Sequence, residues 1–437
     1  MRAGTAVAGL TIFGARAAPV RAKTPFPGAD QYDAEVPTAW FELALDLVRT
    51  TAGYSPPVAS RAFAYAGIAL YESVVPGMDG FRSFADVRAD FPELPHGGKN
   101  ATYDWSLVAN AALAASLRSL VPTGQSEQLA AVDALESSFA ERIGAGVPAG
   151  VSARSIRRGQ DVSAALFEWS KRDGGHEGYL HNFPTYDAPV GPGYWLPTPP
   201  GFLPALQPYW GSNRCLAIDN GAACPPGDHP PHSEDPASVF YGQALEVYQA
   251  VNELTREQEE IARFWSDDPG QTPTPPGHSI SITTQVLRNE DATLATAAET
   301  YARVGIAVCD AFIACWHAKY KYNLLRPVTY IRARIDSRWM PLLVTPPFPE
   351  YTSGHSIQSA AALQTLTDLF GNGYAFVDHT HDSRGLSPRR FGSFFEAAEE
   401  AAMSRLYGGI HFRAAIVNGL AQGTCIGKAV SALPLTS

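Results

Sequence analysis

An all-α protein is what the sequence predicts, and three observations carry that prediction. Apolar residues recur at helical spacing in segment after segment, with Phe41, Leu45 and Val48 forming the first clear set. No segment shows the alternation of a strand-rich chain, and no sequence repeat is visible. A length of 437 residues with 45% hydrophobic content supports a large core, which suits one compact unit of two helix bundles.

Taken in order, residues 1–37 read as an irregular N-terminus with a half-formed secretory signal. Arg2 gives a positive start and Ala6 to Phe13 is mostly apolar, but Arg16 stands where a cleavage site needs small residues. Export and retention in the cytoplasm are equally open. A single helical domain is expected over 38–437, divided into an N-terminal bundle (38–173), a loop-rich cap (174–236) and a C-terminal bundle (237–437). The first bundle should hold helices at 38–50, from Ser55-Pro56-Pro57 through Tyr71, and at about 103–120, 124–144 and 150–171. From Gly174 to Pro236 the chain turns dense in Pro, Gly and aromatic residues. Loops of this length usually cover or line a site, so this one is expected to shape access to it. Helices should resume at 237–266, 279–317, 355–370, 392–407 and 411–430. In the last of these, Gly419, Gly423 and Gly427 recur every four residues, a spacing that costs helix stability and so predicts a neighbour packed close.

Composition excludes several functions. The net charge of −10, without any Lys/Arg-rich run, excludes nucleic acid as partner. No stretch reaches the eighteen apolar residues of a membrane span, and the run from Ala414 to Leu435 is broken by Asn418, Gln422 and Lys428. The five cysteines contain no Cys-x2-Cys pair, so zinc is not expected. Cys215 and Cys224 share one Gly/Pro-rich loop and are expected to pair in an exported protein, whereas Cys309 and Cys315 read as buried thiols.

Three clusters carry the chemistry. Trp316 to Arg326 reads Trp-His-Ala-Lys-Tyr-Lys-Tyr-Asn-Leu-Leu-Arg, then Pro327. Lys319 and Arg326, seven residues apart, share a face of continuous helix, and they still converge if the helix stops before the proline. Ser353-Gly354-His355 follows a turn with Pro346, Pro347 and Pro349 and opens an apolar helix. Ser404-Arg405 is followed, after five residues, by His411. Lysine, two arginines, a hydroxyl, a Gly N–H at a helix start and two histidines describe a pocket for a tetrahedral oxyanion. Isolated histidines usually pack or sit at the surface, and His96, His176, His181, His229, His232 and His317 are read so. Asp378-His379-Thr380-His381-Asp382 has metal-binding side chains, but its Gly and polar neighbours mark a solvated loop. Lys321 reads as solvated too, and His278 is left undecided.

The ordered trio Lys-x6-Arg-Pro, Ser-Gly-His and Ser-Arg-x5-His resembles the signature shared by the vanadium-dependent haloperoxidases and the type 2 phosphatidic acid phosphatase superfamily of acid phosphatases. That resemblance, covering about residues 38–432, implies the paired helix bundles of the vanadium chloroperoxidase and acid phosphatase type. It implies that Lys319, Arg326, Ser353, Gly354 and Arg405 hold the equatorial oxygens of vanadate, that His411 is the apical metal ligand, and that His355 is the acid/base. Trp316, three residues before the lysine, and Phe348, five before the serine, match aromatic residues beside the halide in the haloperoxidase branch. Ile261 to Asp268 is similar to a family stretch whose acidic residue, here Asp268, supports the acid/base histidine. Trp195 to Pro200 and Pro208 to Gly211 are similar to bacterial members. Two positions depart from the pattern: Ala415 replaces a common Asp four residues beyond the apical His, and Thr352 replaces the Pro before Ser-Gly-His. The implied activity is oxidation of halide by hydrogen peroxide to hypohalous acid, with vanadate as Lewis acid, an organic acceptor as a further partner and a homodimer compatible with the chain. The alternative is hydrolysis of phosphomonoesters, with phosphate in the same pocket and His411 as nucleophile.

Overall fold

The structure, a computed structural model, describes residues 26–95 and 101–436. The N-terminal segment read as a half-formed signal falls largely within residues 1–25, and His96 also lies outside the described residues. Five helices form the first half: α1 (Glu35–Thr50), α2 (Pro56–Val74), α3 (Trp105–Leu120), α4 (Ser126–Gly144) and α5 (Ala149–Ser170). Eight more follow the long loop: α6 (Val239–Asn252), α7 (Arg256–Phe264), α8 (Thr274–Asn289), α9 (Leu294–Tyr322), α10 (Pro327–Arg334), α11 (Gly354–Phe370), α12 (Phe394–Tyr407) and α13 (Arg413–Ser431). Two three-residue strands, β1 (Phe376–Asp378) and β2 (Arg389–Phe391), pair antiparallel between α11 and α12.

Two expected helices are each two helices. The stretch 237–266 breaks at Glu253-Leu254, because Thr255 caps α7 through its hydroxyl and Gln258 closes the reciprocal bond. The stretch 279–317 breaks after α8, where Asp291 turns left-handed at φ 46° and Thr293 caps α9. Helix α10 was not anticipated. Pro327 starts it at the first helical position, where its missing N–H costs nothing.

The 29-residue α9 is the central strut. It packs against α2 on one side and α11 on the other, and a continuous apolar core runs from Ala29 to Leu435 through both halves of the chain. Helix α13 lies against α11 along the glycine stripe. A Cβ on Gly423 would stand 2.1 Å from the Ile357 carbonyl oxygen, and one on Gly419 2.8 Å from the Ser356 side chain. This contact fixes the helix whose first residues are Gly354 and His355. Gly423→Ala should therefore destabilise the fold by roughly 1–3 kcal/mol, as overpacking does, read as a lower thermal unfolding midpoint.

The loop region is tied to the helices at named points. The Asp310 carboxylate on α9 accepts from the Leu216, Ala217 and Ile218 N–H groups at 2.7–3.0 Å. The expected Cys215–Cys224 bridge is corrected here: Cys224 pairs with Cys425 on α13, and Cys215 is a buried free thiol. Proximity in sequence misled, because the two residues are held by different neighbours. Arg88 holds the Cys215 carbonyl on one flank, while Gln422 donates to the Cys224 carbonyl on the other. Denatured, unreduced protein should titrate with three free thiols of its five cysteines; a count of five would refute the bridge.

Candidate active site

The C-terminal end of α9, the turn 346–353, the start of α11 and the α12–α13 connection meet at one place. Lys319, Arg326, Ser353, Arg405 and His411 are all buried there, with Gly354 and His355 on the wall of a cavity of about 1150 Å³. The chain does leave helix before Pro327. Asn323 caps α9 in a left-handed conformation, φ 47°, and Arg326 is extended. The two cations still converge, since both reach the same turn.

That turn holds them by its backbone. Lys319 Nζ donates to the carbonyls of Pro349, Glu350 and Thr352 at 2.9, 2.9 and 2.6 Å. Arg326 Nε donates to Phe348 O and its Nη1 to Ile410 O, both at 2.8 Å. Arg405 Nη2 donates to Trp265 O at 2.6 Å and Ala262 O at 3.3 Å. Carbonyl dipoles orient these groups without cancelling a full charge. Burial lowers the pKa of Lys319 to about 7, with Glu350 among the groups drawing it back up, and burial lowers both arginines to about 10.

His411 Nδ1 lies 2.9 Å from Glu350 Oε1, which also accepts from the Phe412 N–H at 2.8 Å. With Nδ1 donating to the carboxylate, Nε2 keeps its lone pair, and it accepts from Arg326 Nη1 at 3.2 Å. Glu350 brings a carboxylate to His411, where Ala415, buried and apolar, has none. Sequence reasoning missed it. The only signal was a carboxylate three residues before Ser353, in the turn that the Lys319 and Arg326 contacts require. Burial holds the His411 imidazole far below its ordinary pKa, helped by the Arg326 and Lys319 charges, so the ring is neutral. His355 is held neutral by burial and by Arg405.

Asp268 is exposed on the cavity wall, and among the described residues no hydrogen bond joins it to His355. The carboxylate whose charge favours the protonated form of His355 is its neighbour Asp267, turned inward by a left-handed φ of 49° and buried. Asp267 meets His278 Nδ1 at 2.9 Å, and His278 Nε2 meets Asp378 at 2.7 Å. His381 Nε2 lies 3.2 Å from the other Asp267 oxygen. The loop read as solvated is thus half buried: Asp378 and His381 point inward, while His379 and Asp382 pair at the surface. The reason is the β1–β2 hairpin, which the sequence analysis did not anticipate. Trp316 and Phe348 lie against each other with centroids 4.9 Å apart and planes tilted by 51°, and Phe348 covers Lys319 Nζ at 5.0 Å and the Arg326 guanidinium at 4.9 Å. Lys321 is exposed.

The donor set fits a tetrahedral oxyanion such as vanadate. Arg326 Nη2 and His355 Nε2 are buried without a hydrogen-bond partner. Nothing lies within 4 Å of the place a Gly354 Cβ would take, and the first N–H groups of α11 have no partner within their helix. Residues 299–434 match the family described as the VCPO second helical-bundle domain. The crystal structure of the first bacterial vanadium-dependent iodoperoxidase superposes with a TM-score of 0.83 at 35% identity, over 92% of this chain and 96% of that one. The chain belongs to the vanadium-dependent haloperoxidases. Vanadium chloroperoxidase of Curvularia inaequalis is 25% identical over 415 residues, 78% of this chain and 67% of that protein. A holo-type bacterial vanadium-dependent chloroperoxidase shares the fold at TM-score 0.65 and 17% identity, over 87% of this chain and 94% of that one. Among the described residues of this haloperoxidase no helix is long and apolar enough to cross a membrane.

The His278 cluster yields a prediction about stability. Although burial opposes it, the charges of Asp267 and Asp378 raise the His278 pKa to about 10. A histidine raised from its ordinary 6.5 stabilises the fold fully below that pH, and the contribution fades as pH rises toward 10, because the folded state then holds a proton the unfolded chain has lost. His278→Gln should cost about 3–5 kcal/mol, the usual loss on breaking a buried charge pair. Denaturant unfolding should show the deficit largest below pH 6.5 and shrinking toward pH 10; a pH-independent deficit would mean the ring is neutral.

Proposed function

We propose that Lys319, Arg326, Ser353, Gly354 and Arg405 hold the oxygens of vanadate, that His411 Nε2 is the metal ligand, and that His355 exchanges protons with bound peroxide. The observation that carries this reading is the His411 ring, neutral and held through Nδ1 by Glu350, with its Nε2 lone pair turned toward the Arg326 cation. Vanadate, when bound, supplies Lewis-acid activation of peroxide at unchanged oxidation state. The net reaction is halide, hydrogen peroxide and a proton going to hypohalous acid and water: halide loses two electrons and one peroxide oxygen is transferred to it. Within it, Lys319 and the arginines stabilise negative charge in a dry site, where such interactions are strongest. His355, neutral and unpartnered at Nε2, takes a proton from the entering peroxide and returns one to the leaving oxygen. Asp267 stabilises its charged form in between.

Trp316 and Phe348 would form the dry wall a halide needs in order to shed water and act as a nucleophile. We infer that iodide and bromide are both substrates. Iodide is the more easily oxidised, and the 35%-identical relative is an iodoperoxidase. The phosphatase alternative would use the same pocket, but no observation favours it over the haloperoxidase reading.

Purified protein loaded with orthovanadate should oxidise iodide and bromide with peroxide; phosphomonoester hydrolysis without halide oxidation would overturn the reading. His411→Ala should abolish vanadate binding in equilibrium dialysis with an unchanged far-ultraviolet spectrum. Glu350→Ala should weaken it by about 10–100-fold, the usual cost of removing the carboxylate behind a ligating histidine. Glu350→Gln, which keeps an acceptor for Nδ1–H, should lose less. Equal affinity in wild type and Glu350→Ala would remove Glu350 from the site.

A further inference from the structure

The cluster around Asp267 holds more coordinating groups than the acid/base histidine requires. Asp267, His278 and His381 are all buried, and each brings a possible ligand atom within 4.8 Å of the other two. They come from three segments: the α7–α8 connection, the second turn of α8 and the turn after β1. The Asp267 carboxylate faces both rings, with Oδ2 2.9 Å from His278 Nδ1 and Oδ1 3.2 Å from His381 Nε2. Yet Oδ1 and His381 Nε2 have no hydrogen-bond partner, in each other or elsewhere. Buried polar atoms of this kind are costly unless something satisfies them.

A divalent cation would satisfy them. Bonds of about 2.0–2.2 Å to imidazole nitrogen and carboxylate oxygen set neighbouring donors of a tetrahedral site roughly 3.3 Å apart, close to both separations above. Asp378 prepares His278 for this role. Its Oδ2 lies 2.7 Å from His278 Nε2, while its Oδ1 accepts from the Thr380 N–H and hydroxyl at 2.9 and 2.6 Å. With Nε2–H donating to that carboxylate, Nδ1 can turn a lone pair toward Asp267. This is the carboxylate–imidazole–metal arrangement that orients a ligand and raises its basicity. Trp265 stacks on the His278 ring with centroids 4.4 Å apart, and Phe264 meets both histidines edge-on, so the surroundings are apolar. Two imidazoles and a carboxylate are a donor set that zinc takes, and the cysteine spacing argues only against a thiolate site.

We propose that Asp267, His278 Nδ1 and His381 Nε2 form a zinc site beside the oxyanion pocket, with Asp378 as the carboxylate behind His278. The inference goes beyond the halide chemistry and does not depend on it. In the metal-free protein His278 keeps the proton between Nδ1 and Asp267 on which the pH dependence above rests; zinc takes its place, and the proton leaves to solvent. The ion would clamp the hairpin turn and the α7–α8 connection onto α8. It would also draw Asp267 charge away from His355. The neighbouring His379 belongs to the surface pair with Asp382 and takes no part.

The test uses the full chain, freed of metal with a chelator, without vanadate and in a buffer without phosphate. Calorimetric titration with zinc chloride at about pH 7 should give about one ion per chain and, from heats in two buffers of different ionisation enthalpy, release of about one proton per ion. His381→Gln should weaken binding by more than about 100-fold, the upper end of what loss of a supporting group costs, whereas His379→Gln should leave it unchanged. Cobalt(II) in the wild-type protein should give the intense visible absorption of a four-coordinate ion, lost when zinc displaces it, a readout that stands even where His381→Gln does not fold. No zinc uptake by the wild type, uptake that survives His381→Gln, loss with His379→Gln, or the weak spectrum of six-coordinate cobalt each overturns the proposal.

Discussion

The structure depends on keeping three buried cations unneutralised. Lys319, Arg326 and Arg405 are each held by backbone carbonyls, seven in all, from Pro349, Glu350, Thr352, Phe348, Ile410, Trp265 and Ala262. An acidic partner at each would orient the side chain equally well, but it would consume the charge. Carbonyl dipoles leave most of that charge to act on whatever enters the cavity, at the cost of desolvation that burial imposes on all three. The buried carboxylates near these cations are committed elsewhere: Glu350 to His411 and the Phe412 N–H through one oxygen, and Asp267 to His278.

Much of the architecture follows from that choice. A single turn, 348–352, supplies five of the site's backbone and side-chain acceptors, so it must be pinned. Thr352 Oγ1 donates to Gln422 at 2.9 Å, and Gln422 reaches the Cys224 carbonyl. Helix α13 is drawn onto α11 by the glycine stripe, and the Leu206 N–H donates to Pro347 O at 2.9 Å while the Leu206 carbonyl accepts from Trp316 and Tyr320. The long loop is therefore part of the site's frame as well as its rim.

The all-α class, most helix positions and the residues that converge at the candidate site were legible in the sequence because each leaves a local trace: apolar periodicity, capping hydroxyls, or a fixed spacing between chemically unlike residues. Gly423 was legible for the same reason, since its stripe repeats along one helix face. Glu350 was not, because its place is set by where the turn falls relative to His411, 61 residues later in sequence. The choice between Asp267 and Asp268 hinged on one left-handed residue, which composition does not reveal. The Cys224–Cys425 bridge spans 201 residues, and nothing local distinguishes it from the nearer pairing with Cys215. His278 lies between two carboxylates brought from opposite sides by α8 and by a hairpin with only three residues per strand.

Cations oriented by carbonyl dipoles would also make the stability of the fold respond to anions. Any oxyanion that enters recovers the interaction energy the empty pocket forgoes, and it binds the folded state and not the unfolded one. At a hundredfold excess over its dissociation constant such a ligand adds about 2.7 kcal/mol of stability. Phosphate, nearly isosteric with vanadate, is an ordinary buffer component. If phosphate enters as vanadate does, the thermal midpoint of this protein would depend on the buffer it is measured in, and a preparation carried through phosphate would enter later metal loading with its pocket contested.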